Sequence, residues 1–232
     1  MEGPRIGFIV PDNPAIQPTH KILYGRTVTL EPLSTAHSDD LFSCLGGSEN
    51  SRIWDYMADG PFASKKEFNS FISQKAESED PLFFSIVDRT SNGNRDSGRV
   101  TGFLSLLRID VKNRVVEIGF VTFSRELQRT TPATETMYLL LKWVFEELNF
   151  RRCEWKCSDL NEPSKRAAER ATDSISSPQE LTSKLSDSPA LAPQISQEAR
   201  REDAQKGSGH SIRTGAESNE PFSTRISRHA TV

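Results

Sequence analysis

Apolar positions recur at two spacings along the first 170 residues, and the change from one to the other predicts the order of elements. Thr27-Val28-Thr29-Leu30 alternates in the manner of a strand and stops at Pro32. Ser34 or Thr35 caps a helix that carries Leu41, Phe42 and Leu45 and ends at Gly46-Gly47. Trp54-Asp55-Tyr56-Met57, followed by Gly60-Pro61-Phe62, reads as an aromatic loop and a turn. Ser64 caps a second helix with Phe68, Phe71 and Ile72 on its apolar stripe and Glu67 as the capping-box acid. Leu82 to Val87, Val100 to Ile109 and Val115 to Phe123 are three strands, the first two joined by the hairpin loop Ser91 to Gly98.

The spacing then lengthens. Thr131 and Pro132 open a helix that runs to about Asn149, with Ala133, Met137, Leu140, Val144 and Leu148 facing the sheet. Arg152 to Cys157 is a further strand, and Asn161-Glu162-Pro163-Ser164 starts a last helix that reaches Arg170. Hairpin strands followed by a helix and another strand predict an α+β domain with a mixed, mostly antiparallel sheet flanked by helices.

After Arg170 the periodicity stops. All the Trp and Tyr residues and all but Phe222 of the Phe residues lie before that point. Serine, proline, glutamine and both charges dominate from Ala171 to Val232, so that segment has little apolar surface to offset ordering entropy and is expected to be disordered. The chain divides into a proline-spotted extended arm (1–24), a domain (25–170) and a low-complexity tail (171–232).

Charge narrows the function classes. The 232-residue chain has a formal net charge of -3 with both signs interspersed, so it offers nucleic acid or an anionic membrane no basic stripe. No apolar run approaches the length of a bilayer span, and Met1 to Val10 lacks the pattern of a secretory signal. Cys44, Cys153 and Cys157 form an odd, sparse set that fits a reducing compartment. Cys153 and Cys157 share strand parity and read as small buried or half-buried hydrophobes. No metal-ligand spacing is present among them or among the four histidines. A soluble cytoplasmic protein is the expectation.

Gln128, Thr131 and Ala133 stand in the order Gln-x-x-Thr-x-Ala between a strand and a helix. Together with Arg151 to Arg170, and with the Gly60-Pro61-Phe62 turn, they resemble the GNAT (Gcn5-related) acetyltransferases, in particular the RimJ/RimL-like branch. The family motif is Gln/Arg-x-x-Gly-x-Gly/Ala, so Thr131 replaces its middle glycine. The resemblance spans about residues 22 to 170. It implies an acetyl-CoA-dependent N-acetyltransferase that acylates a primary amine, either of a small molecule or of a protein N-terminus.

A helix N-terminus with spare N–H groups accepts a pyrophosphate. Thr130, Thr131 and Thr134 add hydroxyls, Arg129 adds a charge, and Pro132 gives up one donor. The resemblance further implies that Phe120 to Phe123 offer backbone to the cofactor arm and that Asn161 contacts it, with Ser164 close by. Thr131, Thr134, Asn161 and Ser164 are equally suited to capping their own helices. Glu117 matches a strand position where some members carry a base acting through water, and it is equally suited to pairing with a cation on a neighbouring strand. Backbone N–H groups near Ile118 to Phe120 are placed to polarise the thioester carbonyl. Tyr56 and Phe62 are expected to line the acceptor pocket.

Family members continue the last helix into Leu-Gly-Phe and two closing strands, whereas this chain reads Ala171-Thr172-Asp173-Ser174. The expectation is a GNAT fold lacking its last strands, with an unpaired sheet edge and no tyrosine to protonate the leaving thiolate. A catalytically impaired fold that acts as a binding protein therefore competes with the enzyme.

Overall fold

The computed structural model describes residues 13–90, 98–176 and 222–227. One seven-stranded sheet carries β1 (Leu23–Tyr24), β2 (Val28–Pro32), β3 (Leu82–Asp88), β4 (Arg99–Asp110), β5 (Val115–Phe123), β6 (Arg152–Cys157) and β7 (Phe222–Ser227). The strands lie side by side in chain order, and every neighbouring pair is antiparallel except β5–β6. The α+β class with a mixed, mostly antiparallel sheet is thus the observed one.

Strand alternation sends successive side chains to opposite faces. Phe84, Ile86, Leu104, Leu106, Val116 and Ile118 point to one face, where α3 (Thr131–Lys142) and α4 (Glu162–Ser176) cover them. Met137, Leu140, Val144 and Leu148 join that core as the helical spacing predicts. The helix does not stay α-helical to Asn149: a π-helical turn follows at Trp143–Glu147, and Asn149 ends the run in the left-handed region at φ 59°.

Phe83, Val87, Val100 and Phe103 point to the other face, under α1 (Ser38–Leu45) and α2 (Lys65–Ala76). Trp54 is the hub there. Its ring meets Phe62 at 5.0 Å and Phe71 at 5.9 Å, both edge to face, and its indole N–H donates to the Leu45 carbonyl at 2.8 Å. A Cβ at Gly60 would lie 2.6 Å from that indole, and Gly60 also has φ 81°, so glycine is required twice over.

Two capping expectations diverge. Ser34 and His37 close a reciprocal capping box on a 3-10 turn at Thr35–His37, and α1 follows with His37 at its N-cap and no side-chain capping hydrogen bond. Ser64 takes the N-cap position of α2, but its side chain makes no capping hydrogen bond, so the box with Glu67 is not closed.

The end of the domain also differs from expectation. α4 runs beyond Arg170 to Ser176, with Ala171 buried in the core. β7 then pairs with β6 from Cys157↔Phe222 to Arg152↔Ser227, so the outer edge of β6 is not left open. An unpaired edge exposes a row of N–H and C=O groups, and any extended segment within reach can satisfy them. One strand follows α4 among the described residues, where the resemblance implies two. At the other end, β1 draws part of the predicted arm into the sheet. Residues 1–12, the hairpin loop at 91–97 and the tail segments 177–221 and 228–232 lie outside the described residues.

His37 carries a consequence for pH. Its Nδ1 receives the Ser34 N–H at 3.2 Å and the Ser85 hydroxyl at 2.6 Å, which leaves the ring proton on Nε2. Burial lowers its pKa below 6.5, and Glu31 and Asp40 offset only part of that. A histidine held neutral in the fold contributes stability above its ordinary pKa and loses it as pH falls through the lowered one. Denaturant melts should therefore show the advantage of the unaltered chain over His37→Gln shrinking from pH 7 toward about pH 5. A constant difference would mean that the ring does not titrate in this window.

Candidate active site

The cleft begins where β5 and β6 part. Their parallel pairing runs from Val115↔Arg152 to Ile118↔Trp155 and stops, although β5 continues to Phe123 and β6 to Cys157. The cause lies in β5 itself. Ser105 of β4 pairs with Gly119, but Phe103 pairs with Thr122, so β5 holds one extra residue in that interval. Phe120 sits in this bulge at φ 50°, a strained value for an aromatic residue. The bulge bends β5 away from β6, and beyond Ile118 β6 supplies it no backbone partner.

A turn links β5 to α3. Leu127 and Gln128 donate their N–H groups to the Ser124 carbonyl at 3.1 Å each, and the Gln128 side chain donates to the Phe123 carbonyl at 2.9 Å. Arg129 is left-handed at φ 64°, and Thr130 follows in extended geometry. The Thr130 hydroxyl accepts the Ala133 N–H at 3.2 Å and donates to the Leu127 carbonyl at 2.6 Å. Thr130 is therefore the cap, while Thr134 returns its hydroxyl to the Thr130 carbonyl at 3.3 Å. Thr131 is exposed, and Ala133 is small and nearly covered. The N–H groups of Arg129, Thr130 and Thr131 have no partner among the described residues. Partial positive charge at the start of α3, free donors and the Arg129 guanidinium form an anion-ready corner at the mouth of the cleft.

On the β6 side, Asn161 Oδ1 accepts the Ser164 N–H at 3.1 Å and so caps α4. The Ser164 hydroxyl accepts the Trp155 indole N–H at 3.0 Å. Both residues thus serve the fold, which leaves the Asn161 amide N–H₂ and the Ser164 hydroxyl proton as donors. The exposed ring of Tyr56 crosses to this loop and donates its hydroxyl to the Leu160 carbonyl at 3.0 Å. Phe62 is half-buried and packs against Trp54, Phe68 and Phe71 at 5.0, 5.4 and 4.8 Å. The Gly60-Pro61 turn precedes it, and the aromatic hub holds the half-buried ring.

Glu117 lies on the face of the sheet opposite α3, with its side chain 7% exposed. Its Oε2 accepts from Lys156 Nζ at 2.7 Å and from the Arg108 guanidinium. Lys156 also donates to Glu154 at 2.7 Å. Burial alone would lower the pKa of Lys156, but the two carboxylates outweigh it and hold the ammonium above its ordinary value. The cross-strand pairing that the sequence allows for Glu117 is therefore present, and the carboxylate is held by two cations. Sequence reading missed Lys156, Glu154 and Arg108. The alternation of Glu154 and Lys156 with Cys153, Trp155 and Cys157 was the available signal, but the partner strand depends on the β5–β6 register, and Arg108 sits on β4.

The cysteines take no part. Cys44 and Cys153 are buried, which pushes the Cys44 thiol up to about 12 and the Cys153 thiol higher still. No group of three or more His, Cys, Asp or Glu among the described residues could hold a metal ion. No helix among them is long and apolar enough to cross a membrane.

Residues 27–171 match the acetyltransferase (GNAT) domain family. A GCN5-related N-acetyltransferase from Brucella melitensis is 38% identical, with a TM-score of 0.63 over 67% of this chain and 68% of that one. A GNAT-family protein from Chromobacterium violaceum is 29% identical, with a TM-score of 0.62 over 74% of this chain and 82% of that one. The Microcin C7 self immunity acetyltransferase MccE, solved with acetyl-CoA and AMP, shares the fold at 20% identity and a TM-score of 0.52, covering 62% of this chain and 77% of its own. No curated protein matches the sequence.

Proposed function

The chain belongs to the GNAT acetyltransferase family, and from that premise we propose that it is an acetyl-CoA-dependent N-acetyltransferase acting on a primary amine. The observation that carries this reading is the parting of β5 from β6 beside the start of α3, where the N–H groups of Arg129, Thr130 and Thr131 are unpaired among the described residues. The N–H groups of Arg129, Thr130 and Thr131 and the Arg129 side chain would receive the pyrophosphate. Gln128 would close the turn, Ala133 would keep the approach open, and Thr134 would support the first helical turn. Phe123 and the bulged stretch before it would border the arm on one side, with Asn161 and Ser164 on the other. The Asn161-x-x-Ser164 helix start and the Gly60-Pro61-Phe62 turn favour the RimJ/RimL-like branch. The free cysteines suit a cytoplasmic setting.

Acyl transfer from a thioester to an amine needs the two reactants held together, a proton removed from nitrogen and a hydrogen-bonded carbonyl. Glu117 is the carboxylate next to the bulge and would take that proton through water. Tyr56, at the loop that leads into Asn161, would flank the acceptor. The acceptor is an amine of a small molecule or of a protein N-terminus.

Calorimetric titration with acetyl-CoA tests the reading: saturable binding is expected, and a folded chain that binds none sinks it. Glu117→Gln then separates base from strut. As a base, its loss should lower kcat about 100-fold with little change in the binding of acetyl-CoA. A fall in Tm with kcat preserved would instead assign Glu117 to holding the strands together.

A further inference from the structure

The ammonium of Lys75 is enclosed rather than solvated. Lys75 lies in the last turn of α2, and its side chain is only 18% exposed. The Nζ atom stands 4.8 Å from the ring centroid of Phe120, 5.2 Å from that of Phe71 and 5.7 Å from that of Phe83. Asp59 closes the arrangement with Oδ2 at 3.2 Å. The rings come from three separate elements: α2, β3 and the bulge of β5. Phe83 and Phe120 also touch each other at 5.2 Å.

A surface lysine ordinarily lays its stem on apolar neighbours and keeps its head in water. Here the rings surround the head itself. Three aromatic faces and a carboxylate replace the hydration of an alkylammonium, and that combination recognises any cation of the same type. The position carries the second half of the argument. Phe120 is the strained residue at which β5 leaves β6, so the cage abuts the point where the cleft opens. Lys75 itself is one residue from the end of its helix and hangs on a flexible stem, so it can withdraw into solvent without disturbing α2.

We propose that the Phe71–Phe83–Phe120 cage with Asp59 is an alkylammonium subsite on the acceptor side of the cleft, and that Lys75 is its resting occupant. The naming of an acceptor rests on the acetyl-transfer reading above. The acceptor class that fits is a diamine: one end, still cationic, replaces Lys75 in the cage, and the other reaches the bulge as the neutral nucleophile. Lys75 then acts as an internal competitor that amines without a second charge displace poorly.

Lys75→Met empties the cage of charge while keeping the stem. NMR titration with n-butylammonium, in the absence of acetyl-CoA, should show at least tenfold tighter binding to this variant than to the unaltered chain. Unchanged or weaker binding overturns the subsite. Lys75→Gln, read beside Lys75→Met with a thermal melt for each, guards against misfolding: a folded variant of either kind that fails to tighten decides against the proposal. With acetyl-CoA present, the KM for 1,4-diaminobutane should fall at least tenfold in Lys75→Met while that for n-butylamine falls less. An equal fall for both overturns the diamine assignment. If acetyl-CoA proves not to bind at all, the acetyl-transfer reading fails, and the n-butylammonium titration still decides the subsite.

Discussion

Replacing Thr131 by Asp is expected to weaken acetyl-CoA binding about 100-fold while leaving the fold as stable as before or slightly more so. The two effects have opposite signs because the same feature drives both. Thr131 is exposed at the first turn of α3, where unpaired N–H groups concentrate partial positive charge. A carboxylate there complements the helix dipole and should add about 0.3–1 kcal/mol of stability. It would also stand within a few ångströms of a bound pyrophosphate. Repulsion between unit charges at about 5 Å in a part-solvated site amounts to about 2–3 kcal/mol, or roughly two decades in affinity. Calorimetry on Thr131→Asp and Thr131→Ser, each paired with a thermal melt, reads both arms. Thr131→Ser keeps the hydroxyl and should bind within about threefold of the unaltered chain. Equal affinity in the aspartate variant would remove the helix start as the anion site, and with it the reason for placing the cofactor there.

The second large effect is structural and concerns a residue that sequence reading passed over. Glu135 lies on the buried side of α3, and its carboxylate accepts the N–H groups of Arg26 and Thr27 at 2.7 Å each, together with the Thr27 hydroxyl. It fastens the turn between β1 and β2 to the helix that forms the anion corner. Gly25 makes the approach possible: a Cβ there would stand 2.9 Å from the Glu135 carboxyl carbon and 2.8 Å from Leu139. Glu135→Ala strips the acceptor from both N–H groups and leaves a void under the turn, which should cost about 2–4 kcal/mol. For a chain of this size that is a fall in Tm of about 10 °C. Glu135→Gln retains one acceptor oxygen and should lose about half as much. A fall of under about 2 °C for the alanine variant would show that water replaces the carboxylate without loss.

Glu135 illustrates which parts of the molecule can be read from the chain. Strands β2 to β6 follow local periodicity, so their positions could be inferred within a residue or two, while α1 begins at Ser38, beyond the expected cap, and α3 gives way to a π-helical turn after Lys142. Thr130 to Thr134 were legible as a helix start because capping is local. Glu135 looked like one more acid in a helix, since its partners lie over a hundred residues away at Arg26 and Thr27. The Glu117–Lys156 pair escaped for the same reason, because the parallel register of β5 on β6 has no local signature. Phe62 carried an aromatic-loop signal, and its half-buried ring packs on Phe71 of α2, a partner the local sequence does not name. Phe222, Thr224 and Ile226 do alternate in the manner of a strand. Six residues amid polar sequence give too short a signal, and what recruits them is the open edge of β6.

The strand order bears on how the molecule assembles during synthesis. Because each of β1 to β6 lies next to its predecessor in the chain, every new strand meets a finished edge as it emerges. The antiparallel strands β2 to β5 need no later segment to pair, and only β6 must wait for α3 to cross over. β7 stands apart: it begins at Phe222, well beyond the end of α4 at Ser176 in the chain, so its pairing with β6 joins segments far apart in sequence. Loop-closure entropy grows only with the logarithm of length, so that gap delays the final strand far more than it weakens it. Until β7 pairs, the outer edge of β6, one wall of the cleft, stays open.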